Sequence, residues 1–126
     1  MNVPFAVRLA MTLVMLILIV TVSIVPGQAR PGDSVLVWLV SATPTPLQKL
    51  LHVLAYAVLA LLWMWTLDDI ESPPIRITVV LSIAVATGAV LEWYQTSVPG
   101  RFGTVADVIL NAIGAIFGVL GAAIFL

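Results

Sequence analysis

Cysteine is absent from this chain of 126 residues, and histidine occurs once. Those absences exclude disulfides, thiolate metal sites, a cysteine nucleophile and the commoner histidine-rich metal centres, so no cofactor is expected. Charge is almost as scarce, with 5 Lys+Arg and 6 Asp+Glu making up 9% of the residues and a net charge of -1. A soluble domain carries roughly 25% charged residues, and a small globule with a high surface-to-volume ratio cannot be coated in water by so few. Nor does any basic field exist to hold a nucleic-acid backbone. The remaining solvent is lipid.

Hydrophobic residues, at 62%, fall into four long stretches: Phe5 to Val25, Pro46 to Leu67, Pro73 to about Ser97, and Thr104 to Leu126. Each is long enough to cross a hydrocarbon core of about 30 Å at about 1.5 Å per helical residue. Lipid admits only helices or closed barrels, and these runs lack the period-2 alternation of a barrel strand. The expectation is an all-α integral membrane protein, one domain over residues 1–126, folded as a four-transmembrane-helix bundle. Between the first two helices the patch Val35 to Val40 is too short to span, and reads as an interfacial segment anchored by Trp38.

Helix boundaries have local causes. Thr45-Pro46-Leu47-Gln48 has the form of a capping box with Pro at the first helical position, and Ser72-Pro73 repeats the pattern for the third helix. Thr104-Val105-Ala106-Asp107 caps the fourth, while Val25-Pro26-Gly27 stops the first. The first stretch also has the features of a signal peptide: Arg8, an apolar run and small residues ending at Ala29. Its run of 17 residues from Leu9 to Val25 exceeds the usual apolar region of roughly 7 to 15, which favours a retained helix. With four crossings the termini share one side. Lys and Arg then divide two against three, Arg8 and Arg76 against Arg30, Lys49 and Arg101, a division that leaves orientation open.

The distribution of polar residues is more informative, because an ionisable group at a helix centre costs about 2.5 to 3.5 kcal/mol to insert. Lys49, His52 and Tyr56 share one face at the start of the second helix. Gly88, Glu92 and Gln95 share a face near the end of the third, and Asp107, Asn111, Gly114 and Gly118 a face of the fourth. Up-and-down topology brings Lys49, His52, Glu92, Gln95, Arg101 and Asp107 to the same membrane surface. Gly88, Gly114 and Gly118 are the positions where helices can approach closely.

These residues, Lys49-x-x-His52-x-x-x-Tyr56-x-x-Leu59, Glu92-x-x-Gln95-x-x-x-Pro99-Gly100-Arg101 and Asp107-x-x-x-Asn111-x-x-Gly114-x-x-x-Gly118, resemble the VanZ-like family in identity and order. The resemblance covers about Gln48 to Gly121; Gln48 itself stands where the family often has an acidic residue, which removes a local carboxylate for Lys49. It implies a multi-pass protein of the bacterial cytoplasmic (inner) membrane, in a family named after a member linked to teicoplanin resistance. It implies no particular reaction.

Each candidate residue has a plain structural explanation beside the functional one. Asp107 is accounted for as a helix cap favoured by the dipole, and Lys49 and Arg101 as side chains snorkelling to anionic headgroups. His52 can be a hydrogen-bonded interior residue, Asn111 interhelical glue, and Tyr56, Trp63, Trp65 and Trp93 packing or belt aromatics. Glu92 resists such an account, since a carboxylate near a helix C-terminus is disfavoured; Arg101, Lys49, His52 or protonation is expected to compensate it.

Three function classes follow. The first is binding or occlusion of an anionic envelope lipid, cell-wall precursor or glycopeptide at a rim of Lys49, His52, Tyr56, Glu92, Gln95, Arg101, Asp107 and Asn111, with Arg101 as bidentate clamp and Lys49 as point charge. The second is a membrane-embedded hydrolase or transferase acting on a lipid headgroup, with His52, Glu92 and Asp107 as catalytic candidates. It is weakened by the lack of a recognised Ser or Thr nucleophile motif. The third is a small transporter or flippase, or a structural subunit, although carriers place ionisable groups near the midplane and these lie towards one surface.

Overall fold

The structure is a computed structural model and describes residues 2–24, 34–97 and 104–126. Its elements are all helical: α1 (Phe5–Ile24), α2 (Val35–Ala42), α3 (Thr45–Thr66), α4 (Pro73–Gln95) and α5 (Val105–Phe125). All but α2 are long and apolar enough to cross a membrane. Their outward faces carry large bare side chains such as Val14, Phe117 and Ile124. An apolar surface that continuous would aggregate in water and is satisfied by lipid tails.

The expected spans hold to within two residues, but two of the caps differ. The residue before α3 is Pro44, which cannot cap through its side chain, so α3 starts one residue earlier than a helix capped by Thr45 would. Gln48 donates from Nε2 to the Thr43 carbonyl at 2.9 Å. Ser72 occupies the cap position of α4 without a side-chain bond; the fixed φ of Pro73 starts that helix by itself. At α5 the cap forms, with Thr104 Oγ1 accepting the Asp107 N–H at 3.1 Å. The stop at Val25-Pro26-Gly27 and the connector around Pro99-Gly100 lie outside the described residues.

The patch around Trp38 is the helix α2, whose eight residues are far too few to span. It packs little against the bundle, and Val35 and Trp38 are well exposed.

α3 is the central helix, in contact with α1, α4 and α5, and its closest partner is α5. The reason is the stripe Asn111, Gly114, Ala115, Gly118, Val119 and Ala122, all buried, at helical spacing on α5. Gly114 lies directly against the Val53 carbonyl and Gly118 against the Ala57 carbonyl, so the two backbones touch without side chains between them. Lipid supplies no hydrophobic drive for helix association, which leaves dispersion at such close approaches as the main adhesive. One cluster, including Met64, Val80, Ala84 and Val119, joins α3, α4 and α5. A second, Ile19, Tyr56, Leu59 and Leu91, joins α1, α3 and α4.

Candidate polar site at one end of the bundle

The polar residues of α3, α4 and α5 do converge at one end. His52 Nδ1 lies 3.0 Å from Asn111 Oδ1. A carboxamide oxygen only accepts, so with the amide in this orientation the imidazole donates through Nδ1 and keeps the Nε2 lone pair for another partner. Asn111 is itself almost wholly buried and packed on Gly88, where an added Cβ would sit 2.9 Å from Asn111 Nδ2. Three helices therefore set one imidazole.

Glu92, 4% exposed, has one partner that the sequence reading did not consider, while the expected partner Arg101 lies outside the described residues. Its Oε2 accepts the backbone N–H of Thr104 at 3.3 Å, so the carboxyl group faces the N-terminus of α5. That end carries a positive partial charge and unpaired amide hydrogens, the natural place for an anion. Glu92 from the neighbouring helix thus meets the Thr104 amide that the carboxylate of Asp107 would meet in a reciprocal capping box. Glu92 is also within electrostatic reach of Tyr56, which is 2% exposed. Gln95 is used differently: its Nε2 donates to the Ser23 carbonyl at 3.1 Å and ties α4 to the end of α1.

The rim is less enclosed. Lys49 is exposed, Asp107 is half-buried, and Arg101 lies outside the described residues. Among the described residues Lys49 forms no ion pair with a carboxylate, whereas Arg8 and Arg76 at the opposite end are both paired.

The VanZ/LLP1 family model matches residues 4–126, nearly the whole chain. This chain belongs to the VanZ/LLP1 family. No curated protein and no solved structure gives a significant match. What a VanZ/LLP1 protein can do at this end of the bundle therefore has to be read from its own geometry.

Two features of this VanZ/LLP1 chain escaped sequence reasoning. The first is a second polar group at the opposite end: Arg8 Nη1 donates to the Trp65 carbonyl at 2.6 Å, and Thr12 Oγ1 is 2.6 Å from Thr66 Oγ1, both hydroxyls fully buried. The second is a groove of about 410 Å³ between α1 and α3, with Ser23, Thr43, Gln48 and His52 among its lining residues. A signal for both was present, since Arg8, Thr12, Ile19 and Ser23 fall on one stripe of α1.

Proposed function

We propose that this VanZ/LLP1 protein binds the anionic head group of an envelope lipid or lipid-linked cell-wall precursor at the His52 end of the bundle, in a bacterial cytoplasmic membrane. The observation that carries this reading is the asymmetry of charge. At the Arg8 end both described cations have carboxylate partners, while at the His52 end Lys49 stands exposed beside an oriented imidazole. Lys49 supplies long-range attraction, the Nε2 lone pair of His52 accepts a hydrogen bond from a head-group hydroxyl, and Arg101 is a further cation for a phosphate or carboxylate. A protein that sequesters such a head group changes what a glycopeptide meets at the membrane surface, which is the proposed link to teicoplanin resistance.

The test is lipid co-purification. Lipids extracted with the wild-type protein are expected to be enriched in anionic species over the bulk membrane, and the enrichment to fall in Lys49→Gln and His52→Leu at equal protein recovery. A bound-lipid composition equal to the bulk membrane refutes the reading. Expression in a teicoplanin-sensitive host tests the resistance link separately.

A second reading rests on the His52–Asn111 pair, because an imidazole fixed through Nδ1 has the form of a general base. Turnover of a phospholipid head group by purified protein, abolished in His52→Gln, would favour this hydrolase or transferase class.

A further inference from the structure

The groove between α1 and α3 has a shape that follows from how the two helices are held. At one end they are clamped: Thr12 Oγ1 reaches the Leu62 carbonyl at 3.3 Å and Thr66 Oγ1 at 2.6 Å, and Arg8 reaches the Trp65 carbonyl. At the other end Ser23 is held by Gln95 of α4, not by α3. Between these ends a groove opens, walled by Met15 to Ser23 on α1 and Gln48 to Val58 on α3, with Ile19 and Tyr56 in one packed cluster beneath it. About ten residues of helix at about 1.5 Å each make this a slot of roughly 15 Å, half of a hydrocarbon core of about 30 Å. That length matches one leaflet.

Its chemistry changes along its length. Leu18, Val22, Leu54, Ala55 and Val58 give an apolar wall, and the buried side chains of Ile19 and Tyr56 form the base. At the surface end the lining turns polar with Thr43, Gln48 and His52, and Lys49 lies exposed next to them on α3. The volume falls within the range of about 300 to 1,000 Å³ usual for small-ligand sites. An amphiphile site is apolar inside and polar at the mouth, and this groove has that order.

The geometry points to a hydrocarbon chain of an anionic lipid as the occupant of this slot, its head group at His52 and Lys49 and its chain lying between α1 and α3. The inference rests on the head-group site proposed above and adds that the chain, not the head group alone, is recognised. Acyl and isoprenoid chains share the required chemistry.

The full-length protein in mild detergent is titrated, with binding read by native mass spectrometry, using dioleoyl phosphatidylglycerol, dioleoyl phosphatidylcholine, farnesyl phosphate and glycerol 3-phosphate. At least one of the two anionic lipids is expected to bind ten-fold or more tighter than both the zwitterionic lipid and glycerol 3-phosphate, and the better of the two identifies the chain type. Ala55→Trp fills the slot and is expected to weaken that binding ten-fold or more, with Ala55→Leu intermediate. Ala86→Trp adds the same bulk to an exposed position of α4 and is expected to change nothing. Lys49→Gln is expected to bring the anionic lipid down to the zwitterionic level.

If Lys49→Gln loses the anionic preference but both Ala55 variants bind as wild type, the chain inference falls and the head-group reading stands. If neither position matters, both fall. A dimer that dissociates in Ala55→Trp would make a second copy of the chain the occupant and overturn the inference. Helix content by circular dichroism confirms that each variant compared is folded.

Discussion

Replacing the glycines of α5 one at a time by alanine tests the contact on which the bundle depends. A methyl group at Gly114 meets the Val53 carbonyl, and one at Gly118 meets the Ala57 carbonyl and, at 2.9 Å, the Ala60 Cβ. Backbone atoms cannot rotate out of the way as a side-chain tip can, so α3 and α5 have to separate. Overpacking of this kind costs about 1 to 3 kcal/mol, and a backbone obstacle belongs at the upper end of that range. Against it stands the gain of about 1 kcal/mol in helix propensity on replacing glycine by alanine. A net loss of about 2 kcal/mol remains for each, roughly a thirtyfold fall in the ratio of folded to unfolded protein. Gly121→Ala is the internal control, because its methyl group comes only within 3.6 Å of Leu61 Cδ1, an ordinary contact. It should be neutral or slightly stabilising. The double variant should lose less than twice the single value, since helices already moved apart by one methyl group leave room for the next. Reversible unfolding in bicelles by added SDS, followed by circular dichroism, measures all four. Equal stability of Gly114→Ala, Gly118→Ala and Gly121→Ala would refute the close α3–α5 approach.

Four further outcomes are expected. Thr12→Val should cost about 1 to 2 kcal/mol because it leaves the Thr66 hydroxyl buried without its partner, while Thr12→Val with Thr66→Val should recover most of the loss, as read by a double-mutant cycle. Glu92→Gln keeps an oxygen for the Thr104 amide but loses the charge–dipole attraction, worth about 0.3 to 2 kcal/mol, whereas Glu92→Leu, which loses the hydrogen bond as well, should be the less stable of the two in the same unfolding assay. Asp68→Asn should change stability by less than about 1 kcal/mol, because its 2.7 Å pair with Arg76 is exposed on the carboxylate side. Single cysteines at Ser41 and Ser97 should react with an impermeant maleimide from the same side of the membrane and Glu71→Cys from the other; labelling of Ser41 and Ser97 from opposite sides would contradict the four-span topology. Access from outside would place the His52 end before envelope precursors, and access only after permeabilisation would remove the occlusion reading.

Much of the architecture was legible in the chain because its causes are local or statistical. Four apolar runs of spanning length, few charges and the start signals at Pro73 and Thr104 each act within a few residues, and the helices form where those signals say. The shared end of Lys49, His52, Glu92, Gln95 and Asp107 followed from up-and-down topology alone, and Arg101, expected with them, lies outside the described residues. The start of α3 was misplaced by one residue, with Pro44 and not Thr45 at the cap position, because two prolines flank Thr45 and either can open a helix.

What only the tertiary structure decided is which groups pair. Helical periodicity places a side chain on a face but says nothing about how a neighbouring helix is rotated or how near it comes. Glu92 was therefore recognisable as a carboxyl group in need of compensation, yet one of its partners, the Thr104 amide at the start of α5, is a backbone group with no sequence signature. Asn111 could be read as glue without its object, the imidazole of His52, being known. The groove is the clearest case: it exists because Thr12 and Arg8 clamp α1 to α3 at one end while Gln95 draws the other end of α1 towards α4. Composition and periodicity determine that these helices lie in lipid; the space left between two of them is set by contacts distributed over three.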